Sequence, residues 1–67
     1  MKTSARNQLA GTVTEVKIEG LVAQIKLKVG DSQVTALITA DSAREMGLKV
    51  GDKATAVVKA TSVMIMK

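Results

Sequence analysis

The chain has 67 residues, carries ten Lys/Arg against six Asp/Glu for a net charge of +4, and contains neither cysteine nor histidine. So short a chain forms one domain at most, with a core that supplies only a few kcal/mol of net stability. Disulfides and thiolate or imidazole metal sites are excluded as staples, which leaves association with further copies.

The same absences remove the usual catalytic nucleophiles and general bases, so an enzyme is not expected. The positive charge favours an anionic partner without identifying it. Residues 1–67 are read as a single domain, with no repeat, linker or low-complexity segment. Met1-Lys2-Thr3 runs straight into polar residues, with no apolar stretch long enough for a signal peptide or membrane span. A soluble, cytoplasmic protein without a membrane partner is therefore expected.

In chain order, Ser4, Arg6 and Asn7 form a first cluster of donors, which on local grounds can equally be a plain surface lead-in. Residues 12–18 alternate polar and apolar until Val16, with Gly11 marking the approach, and read as a first strand. Glu19-Gly20 reads as a turn. From Ala23 to Val29 the alternation is strict, with Ala23, Ile25, Leu27 and Val29 on one face and Gln24, Lys26 and Lys28 on the other. Lys26 and Lys28 read most simply as a solvated strand face.

Gly30-Asp31-Ser32 makes a tight connection to a third strand, Gln33 to Thr39, in which Leu37 falls on the outer face and asks for cover from another subunit. Thr39 or Asp41 can then cap a short helix through Met46, with Gly47 placed to end it in the left-handed conformation. Thr39 and Ser42 flank the helix start, where an anion is also favoured, although the cap alone accounts for both residues. Lys49 to Lys53 reads as a turn. Ala54 to Lys59 and Ser62 to Met66 read as strands four and five, separated by Ala60-Thr61, and Lys59, Thr61 and Ser62 make a last donor cluster.

Three strands, a short helix and two strands match the all-β, five-stranded Greek-key barrel of the OB-fold, with the helix between strands 3 and 4. A small SH3-like barrel is the rival. OB-folds often bind single-stranded nucleic acid, but they do so by stacking bases on aromatic side chains. This chain has no Phe, Tyr or Trp. A tetrahedral oxyanion asks instead for several N–H and O–H donors and modest positive charge.

Three segments, Ser4-Ala5-Arg6-Asn7-Gln8-Leu9, Ala36-Leu37-Ile38-Thr39-Ala40-Asp41-Ser42 and Val57-Val58-Lys59-Ala60-Thr61-Ser62-Val63, together resemble the molbindins, the small Mop-type molybdate-binding proteins. The resemblance covers essentially the whole chain. It implies an OB-fold that assembles into a homohexamer, a trimer of dimers, holding molybdate or tungstate between subunits for intracellular storage, buffering or homeostasis. It implies no other cofactor and no nucleic-acid partner.

Carried across residue by residue, the implied oxyanion contacts fall on Ser4, Ala5 and Arg6 of one subunit and on Lys59 and Ala60 of a neighbour. Thr39 and Ser42 match further hydroxyl contacts, and Thr61 joins them by proximity. A nucleic-acid-binding OB module is the alternative reading.

Overall fold

The computed structural model describes residues 7–67. Strands β1 (Asn7–Glu19), β2 (Val22–Val29) and β3 (Ser32–Thr39) are followed by helix α1 (Ala40–Met46) and strand β4 (Lys53–Val58), and then by a single 3₁₀ turn, Ala60–Ser62. The sheet order is β3-β2-β1-β4 with every neighbouring pair antiparallel. A fourth strand returning beside the first is the Greek-key arrangement, and the curled sheet with its one short helix is an OB-fold-like half-barrel.

The register of β1 explains the residues it carries. Val13 lies opposite Leu27, Val16 opposite Ile25 and Ile18 opposite Ala23, while the register slips by one between Val13 and Glu15. Thr14 is the extra residue of a bulge, and it changes the phase of the alternation. The odd-numbered Val13 and the even-numbered Val16 and Ile18 thereby share the inner face. The Thr14 hydroxyl donates to the Lys26 carbonyl at 3.2 Å.

β1 serves two neighbours in succession. Residues Asn7 to Thr12 pair with β4, and Thr12 to Glu19 pair with β2, so Thr12 is paired on both sides. Just before this crossing the backbones come close: a Cβ added at Gly11 would sit 2.5 Å from the Lys28 carbonyl oxygen and 2.8 Å from Val29 Cγ2. Glycine is required there by space. The loop before β4 extends the ladder, with the Val13 N–H donating to the Asp52 carbonyl and the Gly51 N–H to the Val13 carbonyl, both at 2.8 Å.

The core is small. Val13, Ala23, Ile25, Leu27 and Ala43 are buried together, and Val16, Val34, Ile38, Leu48 and Ala56 are among the half-buried residues packed on them. α1 closes one end through Ala43. Its C-terminus is a Schellman motif: Gly47, at φ +62°, donates to the Arg44 carbonyl at 3.0 Å, and the next residue, Leu48, donates to the Ala43 carbonyl at 3.2 Å. Leu48 then packs into the core.

The secondary-structure reading needs three corrections. β1 begins at Asn7 rather than residue 12, because its first half is held by β4, a partner more than forty residues away that local alternation does not reveal. β4 runs from Lys53 to Val58, one residue earlier than expected. The expected fifth strand, Ser62 to Met66, is not formed within the protomer. Ala60–Ser62 is a 3₁₀ turn and the residues beyond it carry no regular structure. A strand exists by virtue of its ladder, and no strand among the described residues lies beside this segment. Val63, Met64, Ile65 and Met66 consequently stand exposed, the last three at 91%, 90% and 95%.

Candidate functional site

The expected donors fall into groups that the fold holds apart. Thr39 ends β3 in an extended conformation and caps α1: its Oγ1 accepts from the Ser42 N–H at 3.1 Å, and its hydroxyl donates to Ser42 Oγ at 2.8 Å. The Ala40 N–H bonds the Leu21 carbonyl at 2.9 Å, which ties the helix start to the β1–β2 turn. Thr39 is thus spent on the helix, and the Ser42 proton is the one free to donate outward. Asp41 brings a carboxylate into the same first turn, at 3.7 Å from the Arg44 guanidinium.

Lys59, Ala60 and Thr61 lie together where β4 ends. Lys59 is extended (φ −64°, ψ 139°) and precedes the 3₁₀ turn, in which the Ser62 N–H bonds the Lys59 carbonyl at 2.9 Å and the Val63 N–H bonds the Ala60 carbonyl at 3.3 Å. The first N–H groups of such a turn, those of Ala60 and Thr61, have no carbonyl within it to bond. The preceding residue, Lys59, has an ammonium group that forms no ion pair among the described residues. All three residues are exposed.

Ser4, Ala5 and Arg6 lie outside the described residues. Arg6 is bonded to Asn7, however, and Asn7 pairs with Val58, the residue before Lys59. The chain therefore enters β1 where β4 leaves it. Thr39 and Ser42 sit at the other end of β1, since Thr39 pairs with Val22 and Val22 with Glu19. One protomer does not gather both groups.

Among the described residues no cluster of three or more His, Cys, Asp or Glu side chains is able to hold a metal ion, and no helix is long and apolar enough to cross a membrane. One donor grouping escaped the sequence reading. On the outer face of the sheet the Lys53 ammonium donates to Thr12 Oγ1 at 3.2 Å, and Lys28 flanks the same threonine. Only the strand register reveals it.

Residues 3–65 match the TOBE domain. The chain is 45% identical over 67 residues to molybdenum-pterin-binding protein 2 of Clostridium pasteurianum, with 98% of each chain covered. Its fold superposes on a molybdate-binding protein from Sporomusa ovata with a TM-score of 0.96 at 40% identity over the full length of both chains. It also matches the cytoplasmic molybdate-binding protein ModG, with molybdate bound, at a TM-score of 0.84 and 36% identity, over 90% of this chain and 43% of that one. These relatives are described by what they bind, not by a reaction. With a matching domain along nearly its whole length and full-length relatives of the same size, this chain belongs to the TOBE-domain family, among the molbindin or Mop-type proteins.

Proposed function

We propose that this protein binds molybdate or tungstate between copies of itself and serves intracellular molybdenum storage, buffering or homeostasis. The observation that carries the reading is the end of β4, where Lys59 and the first residues of the 3₁₀ turn, Ala60 and Thr61, whose N–H groups have no carbonyl partner within that turn, stand exposed just beyond the Asn7–Val58 pair. A dianion taken out of water needs charge-assisted hydrogen bonds on several sides. An exposed turn of one protomer supplies one side.

A neighbouring copy completes the set in this reading, with Ser4, Ala5 and Arg6 of one subunit facing Lys59, Ala60 and Thr61 of another and the hydroxyls of Thr39 and Ser42 as further contacts. A pocket of donors without an acceptor disfavours hydrogen phosphate, whose proton would lack a partner. Association has its own support in the molecule. Leu37 is 70% exposed on the outer face, and Val63 to Met66 leave a continuous apolar segment in water, of the kind that marks an interaction surface. Homohexamers built as trimers of dimers bury such surfaces and are the assembly we infer.

The chain acts in this reading as one domain over residues 1–67, without catalysis and in the cytoplasm, the compartment of the similar ModG. Isothermal titration with molybdate, combined with native mass spectrometry, tests the function. Saturable heat and a hexamer that gains ions are expected. A well-folded monomer that takes up no molybdate in excess would defeat it.

A further inference from the structure

We propose a second anion site, separate from the oxyanion donors at the end of β4, that takes a linear oligophosphate chain on the outer face of the sheet. Thr12 is paired with both of the flanking strands, and its two partners are both lysines: Lys28 on β2 and Lys53 on β4. Directly opposed residues project to the same face. Leu27 and Val13 point into the core, so Lys28, Thr12 and Lys53 form a row across three strands on the outside. Two strand spacings separate the lysine backbones by about 10 Å.

The next outward row is made of small residues. Ala10 lies opposite Thr55, and Gly30 borders it from the β2 side, so the surface sinks there into an open cleft of about 400 Å³. The depression is open to solvent and runs along the sheet surface past the lysine row. No carboxylate lines the cleft. The three ion pairs among the described residues involve neither Lys28 nor Lys53, and the nearby Asp52 carboxylate is engaged by the Lys49 N–H at 2.9 Å.

With no acid between them, an anion lying on this row meets both ammonium groups. The hydrogen bond within the row leaves the right donors free. Lys53 gives one of its protons to Thr12 Oγ1 at 3.2 Å, which leaves the Thr12 O–H to donate into the cleft along with the remaining ammonium protons. The spacing of the cations fits negative charge spread along a chain. Without an aromatic side chain there is nothing for a base to stack on, so the chain of phosphates, and not an attached nucleoside, is what the cleft recognises.

The test is titration of the whole protein with inorganic tripolyphosphate and, in parallel, with ATP, in magnesium-free buffer with and without saturating molybdate. Both ligands are expected to give saturable binding within about threefold of one another, weakened by salt and unchanged by molybdate. Each lysine-to-glutamine change, Lys28→Gln or Lys53→Gln, is expected to weaken tripolyphosphate about tenfold, the scale of one charge-assisted hydrogen bond, with the molybdate titration and thermal melt unaltered. Where Lys53→Gln, which loses the bond to Thr12, does not fold, Lys28→Gln alone decides, because Lys28 is exposed and holds no such bond.

No saturable binding overturns the proposal, as does undiminished affinity in folded variants. Competition by molybdate would place the ligand in the oxyanion site. Binding of ATP without tripolyphosphate, or of a single-stranded oligonucleotide without either, would assign the cleft to another class of ligand.

Discussion

Val13 faces Leu27 across the β1–β2 ladder, while two residues later Glu15 faces Lys26, one step back along β2 rather than two. Thr14 is the surplus residue, and because it bulges out of the pairing, Val16 packs on the core from the same face as Val13. Deleting Thr14 would leave Val13, Glu15 and Val16 in unbroken alternation opposite Leu27, Lys26 and Ile25, with every later residue of β1 on the face it already occupies. The deletion variant is expected to keep its cooperative thermal transition, and Thr14→Ala, which removes only an exposed hydrogen bond to Lys26, should change stability by less than about 1 kcal/mol. A deletion variant that no longer folds would remove the bulge from the account.

Gly11→Ala places a methyl group against the Lys28 carbonyl and the Val29 side chain at distances no real Cβ tolerates. The crossing of β1 over the end of β2 must then open, with a loss of about 1–3 kcal/mol. Urea denaturation measures it. Gly47→Ala serves as the contrast, since space is open there and only the left-handed backbone at φ +62° resists; about 1 kcal/mol is expected.

Thr39 has two possible employments, and stability separates them from binding. Thr39→Ala removes the acceptor for the Ser42 N–H and should lower stability by about 1 kcal/mol, whereas Thr39→Asp keeps a capping oxygen and should hold the melt. If Thr39 also meets an oxyanion, Thr39→Asp is expected to weaken molybdate by about tenfold or more through like-charge repulsion. Unchanged molybdate affinity in that folded variant would leave Thr39 a cap and nothing else.

Arg6→Ala and Lys59→Ala are each expected to weaken molybdate binding by about tenfold to a hundredfold, the range of one to two charge-assisted bonds. Lys59 is exposed and forms no ion pair among the described residues, so its loss should leave the melting temperature within about 4 °C. Titration of both variants checks this. Affinity equal to the parent would strike that residue from the site.

Ile65→Asp puts a charge into the exposed apolar segment after the 3₁₀ turn. In a monomer this changes little. Where the segment is buried between copies, the unpaired charge is expensive, and native mass spectrometry should show smaller assemblies at the same concentration. An unaltered distribution of species would free Ile65 from any interface.

These variants also mark how far the sequence can be read. The β2 strand and its inward set Ala23, Ile25 and Leu27 were legible because strict alternation is local, and so was α1, announced by Thr39 and Gly47 at its two ends. The Asn7 start of β1 was not legible, since it depends on β4. A fifth strand was read from the apolar composition of Ser62 to Met66, but composition does not tell whether the partner strand lies in the same chain. The donors near Lys59 were legible as residue types and by family likeness. The row Lys28-Thr12-Lys53 was not, because it exists only once two separate ladders fix their registers on one residue.

That double pairing at Thr12 has a dynamic consequence. β4 hangs on the first half of β1 while β2 and β3 hang on the second, so the sheet is two panels joined by a single shared rod. The β1–β2–β3 panel holds the buried side chains Val13, Ala23, Ile25 and Leu27, whereas β4 adds only the half-buried Ala54 and Ala56 to them and is the less firmly held of the two. Amide protons of Ala54, Ala56 and Val58 should therefore trade with deuterium well before those of Ile25 and Leu27, and in isolated protomers the end of β4, where Lys59 sits, will be the first region of the sheet to breathe.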